Sequence, residues 1–251
     1  DNPQPGTFRY GITKVSGPRT IVFDVAGVIY LKGRLTCSDP YVTIAGQTAP
    51  GNGIMFRGAP FGMASDGITR FIRMRRGHIL DETDANRGLD GLGMAGNDNA
   101  IMDGAGNYDG HRDMFNNVCY NWGKRATDGG THEGQFVNNY YKMGPATEKK
   151  ILLEATLEGP HPGTQSYYVS GNIRENLNGT KTEDKQDETY NKVVKAQHSQ
   201  QWEVFVQEPF FPSYATIESA EAAFNNVLSD VGCNQPILDN HDERMVRETL
   251  L

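Results

Sequence analysis

One phrase occurs twice in the chain, and its spacing restricts the fold more than any other feature. Phe115-Asn-Asn-Val-Cys-Tyr-Asn121 returns as Phe136-Val-Asn-Asn-Tyr-Tyr-Lys142, and more weakly from Tyr168 as YVSGNIREN. Asn117 and Asn139 are 22 residues apart, the length of one solenoid coil. Short apolar pieces follow a similar beat: 21–25, 41–45, 68–74, 100–102, 114–119, 136–141 and 167–173. Apart from the step from 100 to 114, their starts recur at roughly 20 to 32 residues. A coil of this size cannot bury its own apolar face, but stacked neighbours bury it jointly. Asn at the bend after a strand suits such stacking, because it tolerates left-handed backbone and its amide can bond to the amide of the next coil. The expected fold is all-β, a right-handed parallel β-helix (solenoid), with a C-terminal extension containing at least one α-helix. The expected division is 1–177 for the β-helix and 178–251 for a loop and helix extension packed on it.

Composition agrees. The chain has 251 residues, 29 of them Gly, and 37% are hydrophobic, enough for a core joined by many turns. The net charge of -7 gives no electrostatic reason to bind nucleic acid. No apolar run reaches membrane-spanning length, so no membrane partner is expected. Cys37, Cys119 and Cys233 match no metal pattern. They read as buried free thiols, with one disulfide plus a free thiol as the alternative. The chain begins at Asp1 without Met, as a processed secreted protein would. Asn178-Gly179-Thr180 fits the glycosylation sequon.

Within 68–74, alternation places the apolar residues inward and Arg70 and Arg73 outward, followed by Arg75 and Arg76. These arginines form either a solvated face or a basic stripe for an anionic ligand. The helix is expected after Thr216 as cap, with Ala220, Phe224, Val227, Leu228 and Val231 on one face and Gly232 ending it. It is expected to pack against the solenoid and shield an open end. Gly91-Leu-Gly-Met-Ala-Gly96 spells a dinucleotide fingerprint, yet no strand–helix context surrounds it. Asp81, Glu82, Asp84 and Asp90 form an acidic cluster, either an exposed loop or oxygen ligands for Ca²⁺.

Several phrases together resemble the pectate lyases, the family 1 polysaccharide lyases of Bacteroides-like bacteria. They include GTFRYGITKVSGPRTIVFDVAGVIYLKGRL from Gly6, YVTIAGQTAPGNGI from Tyr41, ITRFIRMRRG from Ile68, NRGLDGLGMAGNDNAIMD from Asn86, FNNVCYNWGKRATDGG from Phe115 and FVNNYYKMGPAT from Phe136. The resemblance implies a secreted or periplasmic bacterial enzyme, monomeric, that cleaves polygalacturonate (pectin oligosaccharides) by β-elimination. In that chemistry the proton at C5 of a uronate is removed and the 4-O bond leaves. Ca²⁺ would neutralise the neighbouring carboxylates and so ease enolate formation. By the same resemblance Asp90 is a Ca²⁺ ligand. Lys124, Arg125 and His132 are substrate-binding residues, with ordinary turn residues as the alternative reading.

The likeness breaks at Asp103–Gly104. The left side resembles the coil that begins the family's Ca²⁺ site, and the right side resembles a much later coil. About three coils on solenoid spacing are absent, so no residue is assigned as catalytic base. Two readings stay open: an enzyme of the family, or a non-catalytic β-helix that binds acidic polysaccharide.

Overall fold

The computed structural model describes residues 3–63, 67–75, 92–94, 111–157, 164–195, 198–213, 215–231 and 233–251, with backbone alone at 92–94 and at His111. Asp90, the acidic residues 81–84, Arg76, the expected strand 100–102, the junction 103–104 and Gly232 lie outside the described residues. The chain divides into two compact units, residues 1–103 with 231–247, and residues 104–230 with 248–251.

The first unit is made of short strands: β1 Arg19–Ile21, β2 Gly27–Leu31, β3 Leu35–Cys37, β4 Val42–Ala45, β5 Ile54–Gly58, β6 Phe61–Met63, β7 Ile68–Arg70, β8 Ile72–Met74 and β9 Leu92–Met94. Each strand pairs in parallel with the strand three places on, giving sheets β1-β4-β7, β2-β5-β8 and β3-β6-β9. Register therefore stacks like on like, with Ile29, Phe56 and Met74 in one row and Leu35, Phe61 and Leu92 in another. Phe56, Phe61, Ile44 and Met63 are fully buried, each contributing roughly 1.5–3 kcal/mol by leaving water. The short helix α1, Phe8–Thr13, opens with Thr7 accepting from the Tyr10 N–H and adds Phe8 and Ile12 to this core. The Phe8 ring lies 4.6 Å from that of Phe56. Leu92–Met94, the centre of the GxGxxG spelling, is a strand paired in parallel with β6.

The phrase IAGQTAPG has a steric explanation. Phe71, between β7 and β8, is left-handed with φ 53°. A Cβ on Gly46 would stand 2.0 Å from the Phe71 carbonyl oxygen, so only glycine fits beneath that bend. Thr48 then ties the turn, its hydroxyl donating to Ala45 O and accepting from Phe23 N.

The second unit repeats the plan: β10 His111–Phe115, β11 Val118–Tyr120, β12 Thr127–Gly129, β13 Glu133–Val137, β14 Tyr140–Lys142, β15 Leu153–Leu157, β16 Ser166–Ser170, β17 Ile173–Glu175, β18 Lys181–Glu183, β19 Tyr190–Val194 and β20 Phe205–Val206. The sheets are β10-β13-β16-β20, β11-β14-β17-β18 and β12-β15-β19, all pairs parallel except β17 with β18. Several pieces expected as single strands are strand pairs broken by one left-handed residue: Asn116 at φ 51°, Asn138 at φ 50° and Gly171 at φ 69°.

The expected amide stacking is present, one residue beyond each bend. Asn117 donates from Nδ2 to Asn139 Oδ1 at 2.9 Å, and Asn139 donates to Asn172 Oδ1 at 2.8 Å. The Asn172 side chain then donates to Asp184 Oδ1 at 3.1 Å, which ends the ladder. Bending and laddering thus fall on adjacent asparagines. Gly171 takes the third bend because Asn138 Oδ1 would lie 1.8 Å from a Cβ there.

Helix α2 runs over Ala220–Ser229, capped by Ser219, whose hydroxyl accepts from Ala222 N. Thr216 is not the cap, because the chain just ahead of Ser219 is held elsewhere. Glu218 O accepts from the side chains of Asn116 and Asn138, both at 2.8 Å, and Glu218 N donates to Asn116 Oδ1. Ala220 and Phe224 lie on Tyr140, Val118 and Ile173, so α2 covers the outer face of a sheet, in place of the expected open end. A second helix, α3 at Asn240–Leu250, has polar and charged residues along most of its length. All three cysteines are free thiols. Burial pushes the Cys119 thiol up to about 11, which leaves it unreactive at neutral pH.

Candidate functional site

In the first unit two arginines of the stripe, Arg73 and Arg75, are engaged by carboxylates. Arg73 is buried, so it belongs neither to a solvated face nor to an open basic stripe. Its guanidinium donates to the carbonyls of Asn52, Cys233 and Ile237 and pairs with Asp239 and Asp242. Arg75 makes ion pairs with the same two carboxylates. Sequence alternation does not show that residues 233–242 supply the partners of Arg73 and Arg75. Arg70 remains exposed, its guanidinium 5.3 Å from the Phe71 ring centre.

In the second unit Lys124, Arg125 and Lys149 are exposed. Sheet β12-β15-β19 sets Thr127, Leu153 and Tyr190 in one register row and Asp128, Glu154 and Asn191 in the next. Leu153 is fully buried and Thr127 bonds the Tyr141 hydroxyl, so the first row faces the core. Alternation puts the second row on the outer face. Thr156, on the same face, donates its hydroxyl to Asp128 Oδ1.

Three cations approach the two carboxylates of this row. Arg125, with its side chain 71% exposed, pairs with Asp128 at 3.0 Å, and Lys149 pairs with Glu154 at 3.7 Å. Lys195 adds its charge at Asp128. Burial raises the Asp128 carboxyl, but the bonds from Thr156 and Arg125 and these charges outweigh it, and it titrates below the usual carboxylate range. Lys124, exposed, completes a shallow depression with Arg125, Asp128, Lys149 and Glu154. The loop carrying Lys149 is pinned in place: Asn121, left-handed at φ 55°, accepts from Ala146 N, and Trp122 Nε1 donates to Lys149 O at 2.7 Å. A Cβ on Gly144 would lie 2.5 Å from Asn121 Oδ1, which fixes glycine at that position.

Lys124 and Arg125 therefore share a site, and His132 is not one of the residues lining it. The His132 Nδ1 faces Thr164 O at 3.0 Å and its Nε2 lies 3.8 Å from Glu133. Asp128, Glu154 and Lys149 were missed from sequence. The available signal was one acid inside the apolar run ILLEATL at 151–157, but only strand register aligns Glu154 with Asp128. No group of three or more His, Cys, Asp or Glu side chains able to hold a metal occurs among the described residues. Both carboxylates of the depression already face cations, so these residues do not fit Ca²⁺. Chemically, the exposed Lys124, Arg125 and Lys149 can donate hydrogen bonds to anions, Arg125 through a planar fork.

No protein-family profile matches the chain. It is 38% identical over 111 residues to "Probable pectate lyase C" of Aspergillus fumigatus, covering 43% of this chain and 22% of that protein. It is 38% identical over 116 residues to the protein of the same name from Aspergillus flavus, covering 45% and 23%. It is 36% identical over 124 residues to that of Emericella nidulans, covering 49% and 24%. The matched region is thus under a quarter of each relative's length. These three relatives are fungal, and the bacterial branch expected from the sequence finds no support among them. Over a little under half of its length, the chain is related to proteins named as pectate lyases.

Proposed function

We propose that the chain is a right-handed parallel β-helix of the pectate lyase type that acts on polygalacturonate by Ca²⁺-assisted β-elimination outside the cell. The observation that carries this reading is the 36–38% identity to proteins named "Probable pectate lyase C", on a scaffold whose strands pair in parallel with the strand three places on. Right-handed winding follows from the strong preference of parallel crossovers for that hand. Asp90 is the proposed Ca²⁺ ligand, and the chain is proposed to be a monomer. Among the described residues no helix is long and apolar enough to cross a membrane. The test is incubation with polygalacturonate, following the ultraviolet absorbance of the unsaturated product. Product that a chelator abolishes supports the reading; no product at any Ca²⁺ level contradicts it.

A second reading is favoured by the depression of Lys124, Arg125 and Lys149: a non-catalytic β-helix that holds acidic polysaccharide. Local cations let an acidic protein meet a polyanion. Salt-sensitive retention on immobilised polygalacturonate without product supports it, and unretained passage counts against it.

A further inference from the structure

Asn178-Gly179-Thr180 is the single Asn-x-Ser/Thr triplet in the chain. It lies at the tip of the hairpin that joins β17 to β18, the antiparallel pair of the second unit. Residues 177–180 are all exposed. The tip is built from specific bonds: Gly179 N donates to Asn176 O at 2.9 Å, and Asn176 N donates to Thr180 O at 2.8 Å. Gly179 is left-handed at φ 77° with open space around it, so glycine serves the backbone there and leaves the tip uncrowded.

The side chains form a directed chain of hydrogen bonds. The buried Arg174 donates from Nε to Asn176 Oδ1 at 3.0 Å. Asn176 Nδ2 donates to Thr180 Oγ1 at 3.0 Å. With that lone pair taken, the Thr180 hydroxyl donates to Asn178 Oδ1 at 2.7 Å. Thr180 N donates to the same oxygen at 3.1 Å. Both bonds polarise the Asn178 amide at its oxygen. Among the described residues its Nδ2 has no hydrogen-bond partner and stands at the exposed tip.

We propose that Asn178 is an N-glycosylation acceptor. The sugar donor is a lipid-diphosphate-linked oligosaccharide. A bond forms between Asn178 Nδ2 and the sugar's C1 while the C1–O bond to the diphosphate breaks. The lipid diphosphate leaves with the electron pair, and the amide nitrogen gives one proton to the transferase. Thr180 and Asn176 are positioning residues: they orient the amide and take no part in bond making. The glycan projects from the hairpin tip beside Leu177, which is 67% exposed and gains an apolar sugar face to cover it. The proposal rests on the extracellular setting above and is independent of the polysaccharide reading.

The test is secretion of the full chain from a yeast host behind a cleavable leader, beside a control protein with a known occupied sequon. Intact mass and mapping of the 178 peptide, with and without amidase removal of glycans, give the readout. The wild-type chain is expected to carry one N-linked glycan and to return to the bare polypeptide mass with Asp at 178 after amidase. Asn178→Gln, which keeps Thr180, and Thr180→Ala are expected bare, while Thr180→Ser stays modified. Asn176→Ala keeps the triplet and is expected to lose occupancy several-fold. A secreted wild-type chain bare at Asn178, with the control modified, overturns the proposal. Unchanged occupancy in Asn176→Ala overturns the positioning role.

Discussion

The two units solve the same stacking problem with different bend chemistry. In the first, the bend between β7 and β8 is an aromatic residue, Phe71, forced left-handed over Gly46. In the second, bends fall on Asn116, Asn138 and Gly171, and the next residues form an amide ladder closed by Asp184. A left-handed phenylalanine costs roughly 1–2 kcal/mol, whereas asparagine adopts that backbone readily. Outer cations differ in the same way. Arg73 and Arg75 are spent on Asp239 and Asp242, but Lys124, Arg125 and Lys149 stay at the surface. A polar bend leaves a repeated sequence trace; a steric one does not.

The largest effect is expected in the first unit. Asp242→Ala leaves the buried Arg73 with one carboxylate fewer and should lower stability by about 3 kcal/mol. Segment-resolved hydrogen exchange should show the loss in residues 19–63; unchanged protection there would break the contrast. The ladder comes next. Asn139, fully buried, accepts from Asn117 N and Nδ2 and donates to Met114 O. Asn139→Ala should cost about 2 kcal/mol, because buried partners are left unpaired. Chemical denaturation measures it, and a cost under ~0.5 kcal/mol would make the ladder incidental.

Acid sharpens the comparison. The hydrogen bond from Arg75 holds the Asp239 carboxyl well below its usual range, against the pull of burial. Its folded value is depressed, so its stabilisation is fully present above the unfolded value of about 3.9 and is lost as pH falls through the folded one. Arg75→Gln should therefore flatten the fall of the urea midpoint below about pH 4. An identical slope in wild type and variant would contradict the pairing. The smallest stability effect belongs to Arg125→Gln, within ~0.5 kcal/mol because the pair is exposed. It should nevertheless reduce salt-sensitive retention on polygalacturonate.

These contrasts explain what was legible in the sequence. The Asn echo was readable because amide stacking demands the same residue at each coil. Helix α2 was readable from its apolar spacing, yet its cap was misplaced, because the clamp on Glu218 comes from Asn116 and Asn138, 102 and 80 residues earlier. Helix α3 was missed: NHDERMVRETL has few apolar positions, and its start depends on Asp239 accepting from His241 N and Asp242 N. The burial of Arg73 was not legible, because alternation reports a face and not what covers it. Lys124 and Arg125 were found by resemblance, while their carboxylate neighbours needed register. Asp90 lies outside the described residues, so the Ca²⁺ expectation rests on resemblance alone.

The most direct test of the central reading is a single assay on polygalacturonate with Ca²⁺ present, then with chelator in excess, following the unsaturated uronate by its ultraviolet absorbance. The account predicts absorbance that rises with Ca²⁺ and stops on chelation. No rise at any Ca²⁺ level would contradict it.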